Sequence, residues 1–251
     1  MKRYGLIGYP LSHSFSQRYF TEKFEREGIA GATYANFSIP SIGELPAVLA
    51  DPELRGLNVT IPYKQQVIPY LTASSPVVEA IGACNCIKIE GGARTGYNTD
   101  VVGFERSLVK KLGDHHQQAL VLGTGGASKA VEWVLDQLGI AYRLVSRQPR
   151  PDTGDLGYDD LDAGLVACYT LIVNTTPVGM YPKVDDCPPL PYEALGPRHY
   201  LYDLIYNPDR TLFLQRGAAR GAVVENGHEM LVLQAEESWR IWTEPAEPVR
   251  P

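Results

Sequence analysis

Short apolar runs alternate with amphipathic stretches along the first part of the chain. Apolar runs at 4–8 and 32–39 have the length and composition of strands. Each is followed by a stretch, 16–27 and 42–49, whose apolar positions recur at helical spacing. This βαβα order is typical of a sheet covered by helices.

The same part of the chain continues with shorter elements. The pattern predicts a strand over 56–60, a short helix over 64–71, and strands over 85–90 and 93–97. The last two strands flank Gly91-Gly92, which predicts a β-hairpin. A compact α/β unit is therefore expected to close before residue 100.

A second series of predicted strands and helices follows a helix predicted over 99–112. Residues 119–122 form a continuous apolar run, which is typical of a strand buried in a parallel sheet. Further strands are predicted over 141–146, 171–174, 200–203 and 222–225, with helices over 129–138, 211–220 and 229–242. The Pro- and Gly-rich segment 146–158 is expected to be a loop. The sequence thus predicts an α/β protein with two units.

The length and charge of the chain limit the kinds of molecule that it is expected to bind. The chain has 251 residues and a net charge of −6 without a basic run, which argues against nucleic acid and anionic membranes and favours a small-molecule substrate. The first apolar run breaks at Gly8 and Pro10, so a cytoplasmic location is expected. The four cysteines lack CxxC spacing and the histidines lack ligand spacing, so no metal site is expected. The sequence allows a monomer or a homodimer.

A glycine-rich segment stands between a predicted strand and a predicted helix. Its residues are Gly123, Thr124, Gly125, Gly126, Ala127 and Ser128. In this context, backbone N–H groups can bind a dinucleotide pyrophosphate, although a ligand-free tight turn is the alternative. The next predicted strand ends at Ser146 and Arg147 rather than at an acidic residue, which favours the 2′-phosphate of NADP over NAD. Lys129 and Arg150 are possible helpers of Arg147, although surface arginines are commonly only solvated.

Polar clusters also follow the predicted elements of the first unit. The serines in Ser12-His13-Ser14-Phe15-Ser16 could cap a helix or bind a carboxylate at its N-terminus. Asn58-Val59-Thr60-Ile61-Pro62-Tyr63-Lys64 presents polar side chains at a strand end, and its lysine could simply be solvated. Two later clusters, 82–85 and 96–100, add two amides and Asp100, which could act chemically or cap the next helix.

Read in order, these clusters resemble the shikimate dehydrogenases. That family carries a Ser-x-Ser pair, Asn-Val-Thr-x-Pro-x-Lys, Gly-Ala-x-Asn, Asn-Thr-Asp and a glycine-rich turn, and the segments 174–180, 202–208 and 226–235 also resemble its later motifs. The resemblance implies an N-terminal α/β substrate domain over 1–99, completed by a C-terminal helix over 227–251. It also implies a Rossmann-like, doubly wound NADP-binding domain over 100–226, with the active site in the interdomain cleft.

The resemblance also assigns roles to single residues. Lys64 and Asp100 would be the catalytic pair. Ser14 and Ser16 would bind the substrate carboxylate. The hydroxyls or carboxylate of the substrate would be contacted by Thr60, Asn85, Tyr206 and Gln234. The cofactor-binding residues would be Gly123, Thr124, Gly125, Gly126, Ala127, Ser146, Arg147, Leu204 and Gly227.

The implied activity is the reversible NADPH-dependent reduction of 3-dehydroshikimate to shikimate, in the shikimate pathway of aromatic amino acid biosynthesis. Two alternatives are a quinate/shikimate dehydrogenase using NAD(P) and a non-catalytic shikimate/NADP-binding sensor. The chain departs from the family pattern at Gln17, at Cys84 and Cys86 around Asn85, and at Tyr97. None of these departures removes a catalytic group, but Ser-Arg-Gln at 146–148 replaces the usual Asn-Arg-Thr and alters the surroundings of the 2′-phosphate.

Overall fold

The computed structural model describes residues 1–11, 15–150 and 152–245, and the chain divides into two compact units. Unit 1 comprises Met1–Thr99 together with the chain from Ala235 onward, and unit 2 comprises Asp100–Gln234. The chain therefore returns to unit 1 inside its last helix, beyond residue 227.

Unit 1 contains a mixed six-stranded sheet. Its strands are β1 (Lys2–Gly8), β2 (Ala32–Ser38), β3 (Leu54–Val59), β4 (Ala73–Ser74), β5 (Cys86–Glu90) and β6 (Ala93–Tyr97), in the order β2-β1-β3-β5-β6-β4. Strand β1 runs parallel to both of its neighbours, whereas β5 is antiparallel to β3 and β6. The helices are α1 (Phe15–Arg26), α2 (Leu45–Leu49) and α3 (Pro76–Ile81), with 3-10 turns at Ile42–Glu44 and Ile68–Tyr70.

The β5–β6 hairpin confirms the prediction, because Gly91 and Gly92 both take positive φ angles at its turn. The helix predicted over 64–71 is wrong. Only the 3-10 turn Ile68–Tyr70 forms there, since Pro69 has no N–H for a longer helix. Helix α3 was not predicted, although Ser75 caps it by accepting from the N–H of Val78.

The sheet of unit 1 buries apolar side chains on both faces. Tyr4 and Leu6 of β1 belong to one buried cluster and Ile7 to another, as the alternation of a strand requires. Trp242, near the end of the last helix, closes the first cluster. Its ring stacks on that of Tyr4 at a centroid separation of 5.0 Å, and its Nε1 donates to the carbonyl of Ile87 at 3.0 Å.

Unit 2 contains a six-stranded sheet in which every described strand pair is parallel. Its strands are β7 (Gln118–Leu122), β8 (Ala141–Ser146), β9 (Leu156–Gly157), β10 (Leu171–Asn174), β11 (Tyr200–Asp203) and β12 (Val223–Glu225), in the order β12-β11-β10-β7-β8-β9. The order reverses at β7, as in a doubly wound Rossmann sheet, and this confirms the predicted fold class.

The helices of this part of the chain are α4 (Thr99–Leu108), α5 (Gly126–Gln137), α6 (Ala163–Cys168), α7 (Leu212–Ala218) and α8 (His228–Thr243). Helix α5 begins before the predicted start at residue 129, so Gly126 and Ala127 lie in its first turn. Helix α6 and strand β9 were not predicted, because they are short and β9 lies in the segment expected to be a loop. Within the described ranges, none of the helices has the length and apolar character required to cross a membrane.

Candidate functional site

The glycine turn of unit 2 follows β7 and opens α5. Gly123 has a φ of 106°, and a Cβ atom there would lie 2.8 Å from Oγ1 of Thr175. Gly125 differs, because an added Cβ would meet no atom within 4 Å. The backbone at Gly125 is therefore open to a ligand, and the first amides of α5 follow directly.

Ser128 stands where a third glycine is often found in such turns. It is buried, and its hydroxyl donates to the carbonyl of Gly125 at 2.7 Å. The hydroxyl therefore has a partner inside the first turn of α5. The missing glycine leaves no unsatisfied buried donor at this position.

Ser146 and Arg147 lie at the end of β8, as predicted. Oγ of Ser146 accepts from the N–H of Gln148 at 3.2 Å, and Arg147 is exposed. Arg150, predicted as a helper, instead forms an ion pair with Asp155 at 2.8 Å. Arg147 is thus better placed than Arg150 to meet an added phosphate.

A buried carboxylate joins the ends of two neighbouring strands. Oδ1 of Asp203 accepts from Nδ2 of Asn174 at 3.0 Å and from the N–H of Ile205 at 3.1 Å. Its Oδ2 accepts from the Thr211 hydroxyl at 2.6 Å. Burial raises the pKa of Asp203 to about 6, and these three hydrogen bonds only partly oppose that rise.

The same network reaches the glycine turn. Oδ1 of Asn174 accepts from both the N–H and the hydroxyl of Thr176, at 3.1 and 2.7 Å. Cγ2 of Thr176 would lie 2.9 Å from a Cβ on Gly123. Asn174 and Asp203 thus support the turn that follows β7 through their hydrogen bonds. No motif in the sequence assigned them this role.

Leu204 and Gly227, two predicted cofactor residues, meet in unit 2. Gly227 is buried, and a Cβ on it would lie 2.1 Å from the carbonyl oxygen of Leu204. Leu204 is held in turn by its N–H, which donates to the carbonyl of Asn174 at 3.0 Å. A side chain at position 227 would therefore displace the backbone next to the Asn174–Asp203 pair.

Replacing Asp203 with asparagine is expected to flatten the pH dependence of stability. The pKa of Asp203 is about 6 in the folded protein against an ordinary value of 3.8, so the folded state binds more protons between these limits. The free energy of unfolding should therefore fall by up to about 3 kcal/mol as pH rises through this window. Urea unfolding of both proteins between pH 4 and pH 7 measures the difference. Parallel stability curves would contradict the expected ionisation of Asp203.

Three predicted site residues of unit 1 are brought together by the backbone. The N–H of Val59, next to Thr60, donates to the carbonyl of Asn85 at 2.8 Å. The N–H of Cys84 donates to the carbonyl of Lys64 at 2.7 Å. Thr60, Lys64 and Asn85 therefore lie in neighbouring segments, and the Lys64 side chain is half-buried.

The Asn85 side chain is buried and oriented. Its Oδ1 accepts from the N–H of Thr99 at 2.7 Å, and its Nδ2 donates to Oγ1 of Thr99 at 3.1 Å. Asp100 follows directly and is buried in the first turn of α4. The N-terminus of a helix favours a carboxylate, so capping and a chemical role are both compatible with this position.

Asp100 and Gln234 lie on helices that approach each other closely. A Cβ on Gly103, one turn after Asp100, would lie 2.6 Å from the carbonyl of Met230 and 3.2 Å from Cβ of Gln234. Gln234 is half-buried, whereas Tyr206, in the loop after β11, is 40% exposed. Close packing at Gly103 thus holds the helix that carries Asp100 against the helix that carries Gln234.

Of the two predicted serines, Ser16 lies in the first turn of α1 and is hydrogen-bonded to the phenol of Tyr34. Ser14 lies outside the described residues. Among the residues that the structure describes, no group of three or more His, Cys, Asp or Glu side chains could hold a metal ion.

The two units define a class of protein. A doubly wound parallel sheet with an open glycine turn at its switch point is typical of dinucleotide-binding α/β proteins. In the accompanying unit, backbone hydrogen bonds place the segments of Thr60, Lys64 and Asn85 next to one another, near the end of β3 and the start of β5. The family described as the shikimate dehydrogenase substrate binding domain matches residues 6–87.

Whole-chain comparisons agree with this match. A shikimate dehydrogenase (NADP(+)) of Clostridium beijerinckii is 39% identical over 252 residues, covering 97% of this chain and 93% of the relative. A solved shikimate 5-dehydrogenase of Thermus thermophilus, in complex with NADP(H) and shikimate, is 31% identical with a TM-score of 0.85, covering 97% of this chain and 94% of that one. This chain belongs to the shikimate dehydrogenase family.

A related solved protein differs in its named substrate and cofactor. A quinate dehydrogenase of Corynebacterium glutamicum, in complex with NAD, is 25% identical with a TM-score of 0.83. It covers 96% of this chain, and this chain covers 93% of it. Quinate and NAD are therefore the relevant competitors in any test of specificity.

Proposed function

We propose that this chain is an NADP-dependent shikimate dehydrogenase, which reversibly reduces 3-dehydroshikimate to shikimate in the shikimate pathway. The observation that carries the proposal is the joint presence of an open glycine turn in unit 2 and the Thr60, Lys64 and Asn85 cluster in unit 1, in a chain with full-length NADP-dependent relatives. We also propose a cytoplasmic location, small-molecule ligands rather than nucleic acid or membrane, and a monomer or homodimer.

The residues of unit 2 fit a dinucleotide. The open backbone at Gly125 and the first amides of α5 suit a pyrophosphate, and exposed Arg147 suits a 2′-phosphate. The proposed cofactor site comprises Gly123, Thr124, Gly125, Gly126, Ala127, Ser146, Arg147, Leu204 and Gly227. When bound there, NADPH supplies the hydride that reduces the substrate ketone.

Lys64 is proposed to donate a proton to the ketone oxygen as negative charge develops on it. In the oxidative direction Lys64, or the Lys64–Asp100 pair, is proposed to accept the hydroxyl proton. Ser14 and Ser16 are proposed to bind the carboxylate. The hydroxyls or carboxylate of the substrate are proposed to contact Thr60, Asn85, Tyr206 and Gln234.

Nicotinamide absorbance tests the proposal with shikimate or quinate and NADP+ or NAD+ in all four pairings. Oxidation of shikimate with NADP+ as the preferred pairing would support it. A preference for quinate or NAD+ would instead support a quinate/shikimate dehydrogenase. If no pairing reacts but both ligands bind in calorimetry, the chain is a sensor and the proposed activity is wrong.

Arg147→Ala is expected to reduce the preference for NADP+. Loss of a charged hydrogen-bond donor to the 2′-phosphate should lower kcat/KM for NADP+ about 10- to 100-fold and leave the value for NAD+ nearly unchanged. The matched control is Arg150→Ala, because Arg150 is paired with Asp155. Equal losses with both cofactors in Arg147→Ala would show that this arginine does not recognise the phosphate.

A further inference from the structure

A continuous set of buried hydrogen bonds connects two proposed substrate-binding residues of unit 1. Ser16 is hydrogen-bonded to the Tyr34 phenol, and the Tyr34 hydroxyl donates to Oδ1 of Asn58 at 2.8 Å. Nδ2 of Asn58 then donates to Oγ of Ser238 at 2.9 Å. Ser16 and Ser238 are thus connected through Tyr34 and Asn58.

The second half of the connection reaches Asn85. Oγ of Ser238 lies 3.3 Å from Oγ1 of Thr99, and Thr99 bonds to the Asn85 side chain through both its N–H and its hydroxyl. We call the set Tyr34, Asn58, Ser238 and Thr99 the buried relay. It connects Ser16, which is proposed to bind the substrate carboxylate, to Asn85, which is proposed to contact a hydroxyl or the carboxylate of the substrate.

The Asn58 amide sets the direction of the hydrogen bonds at the centre of the buried relay. An amide offers both an acceptor and a donor, so Asn58 accepts from Tyr34 on one side and donates to Ser238 on the other. Burial raises the pKa of Tyr34 well above its usual value, against a smaller opposing effect of Ser16, so the phenol stays protonated. Tyr34 therefore remains a donor to Asn58, and its oxygen remains available to the Ser16 hydroxyl.

Burial gives these bonds their rigidity. Tyr34 and Asn58 are 7% and 8% exposed, and Thr99 and Ser238 are almost fully buried. Water can replace few of the hydrogen bonds, so breaking one leaves a buried polar atom unsatisfied. Alternative orientations of the connected side chains are disfavoured for the same reason.

We infer that Tyr34 and Ser238 are positioning residues for shikimate, holding Ser16 and Asn85 in their binding orientations through Asn58 and Thr99. Neither residue is proposed to touch the substrate. The inference rests on the proposed function, since it assumes that Ser16 and Asn85 bind shikimate.

A double-mutant cycle tests the role of Tyr34. Tyr34→Phe should raise KM for shikimate about five- to tenfold and leave KM for NADP+ unchanged, because only the orienting hydrogen bonds are lost. In a Ser16→Ala background the same change should alter KM for shikimate less than about twofold, because the residue that Tyr34 orients is absent. Equal effects in the two backgrounds would overturn the inference.

Two further variants separate positioning from general stability. Tyr192→Phe in unit 2 is the matched control, because it removes a buried hydroxyl that donates to the carbonyl of Pro188 at 2.8 Å. It should lower the melting temperature but leave KM for shikimate unchanged. Ser238→Ala provides an independent test if Tyr34→Phe does not fold, and it should also raise KM for shikimate alone.

The outcomes distinguish the two proposals. Failure of the unmodified protein to oxidise shikimate would refute the proposed function. Normal wild-type activity, with Tyr34→Phe and Ser238→Ala showing the KM values of Tyr192→Phe, would refute only the positioning role.

Discussion

Lys64→Met is expected to lower kcat for shikimate oxidation by about 10²- to 10⁴-fold, the usual contribution of a general acid–base group. Methionine has a similar length but cannot transfer a proton, so substrate and cofactor binding should change little. Steady-state kinetics measure kcat, and fluorescence titration with NADPH checks cofactor binding. Because the half-buried Lys64 is held next to Cys84 and Asn85 by its backbone, the loss should not reflect misfolding.

Lys2→Met is a suitable control for this variant. Lys2 is exposed at the start of β1 in the same unit, and its replacement removes the same charge. Its kcat should stay close to that of the unmodified protein. If Lys64→Met retained comparable activity, another group would have to accept the hydroxyl proton.

Gly125→Ala should weaken cofactor binding without a comparable loss of stability. An added Cβ meets open space in the protein, and the φ of −83° suits alanine. The cost at a helix N-cap should stay below about 1 kcal/mol. The same Cβ would stand between the backbone and a bound pyrophosphate, so Kd for NADPH should rise about 10- to 100-fold.

Gly196→Ala is the matched control, because its Cβ also meets no atom within 4 Å. Thermal unfolding and NADPH titration of the two variants should show similar melting temperatures but different affinities. Unchanged NADPH affinity in Gly125→Ala would remove this glycine from the proposed pyrophosphate site.

The glycine turn could be predicted because its signal is local. An apolar strand, a glycine-rich segment and a helix follow one another in the sequence, and β7 and α5 form on either side as expected. The helix predicted over 64–71 does not form, because Pro69 has no N–H to donate to a helical hydrogen bond. Local chemistry overrode periodicity at that position.

The supporting polar networks are harder to predict because their members are distant in sequence. Tyr34, Asn58 and Ser238 lie on β2, β3 and α8, and no local pattern pairs them. Asn174 and Asp203 carried a weak signal, since each ends a buried strand. Only the observed adjacency of β10 and β11 shows that the amide meets the carboxylate.

The return of α8 to unit 1 has a consequence for synthesis of the protein. Unit 2 is one continuous stretch of chain, whereas unit 1 needs Trp242 to cover Tyr4 and Gly56. On the ribosome, the N-terminal half therefore emerges first but stays incomplete until the final helix is released. The usual N-to-C order of domain completion is reversed, and the unit made first is the one exposed longest to chaperones and proteases.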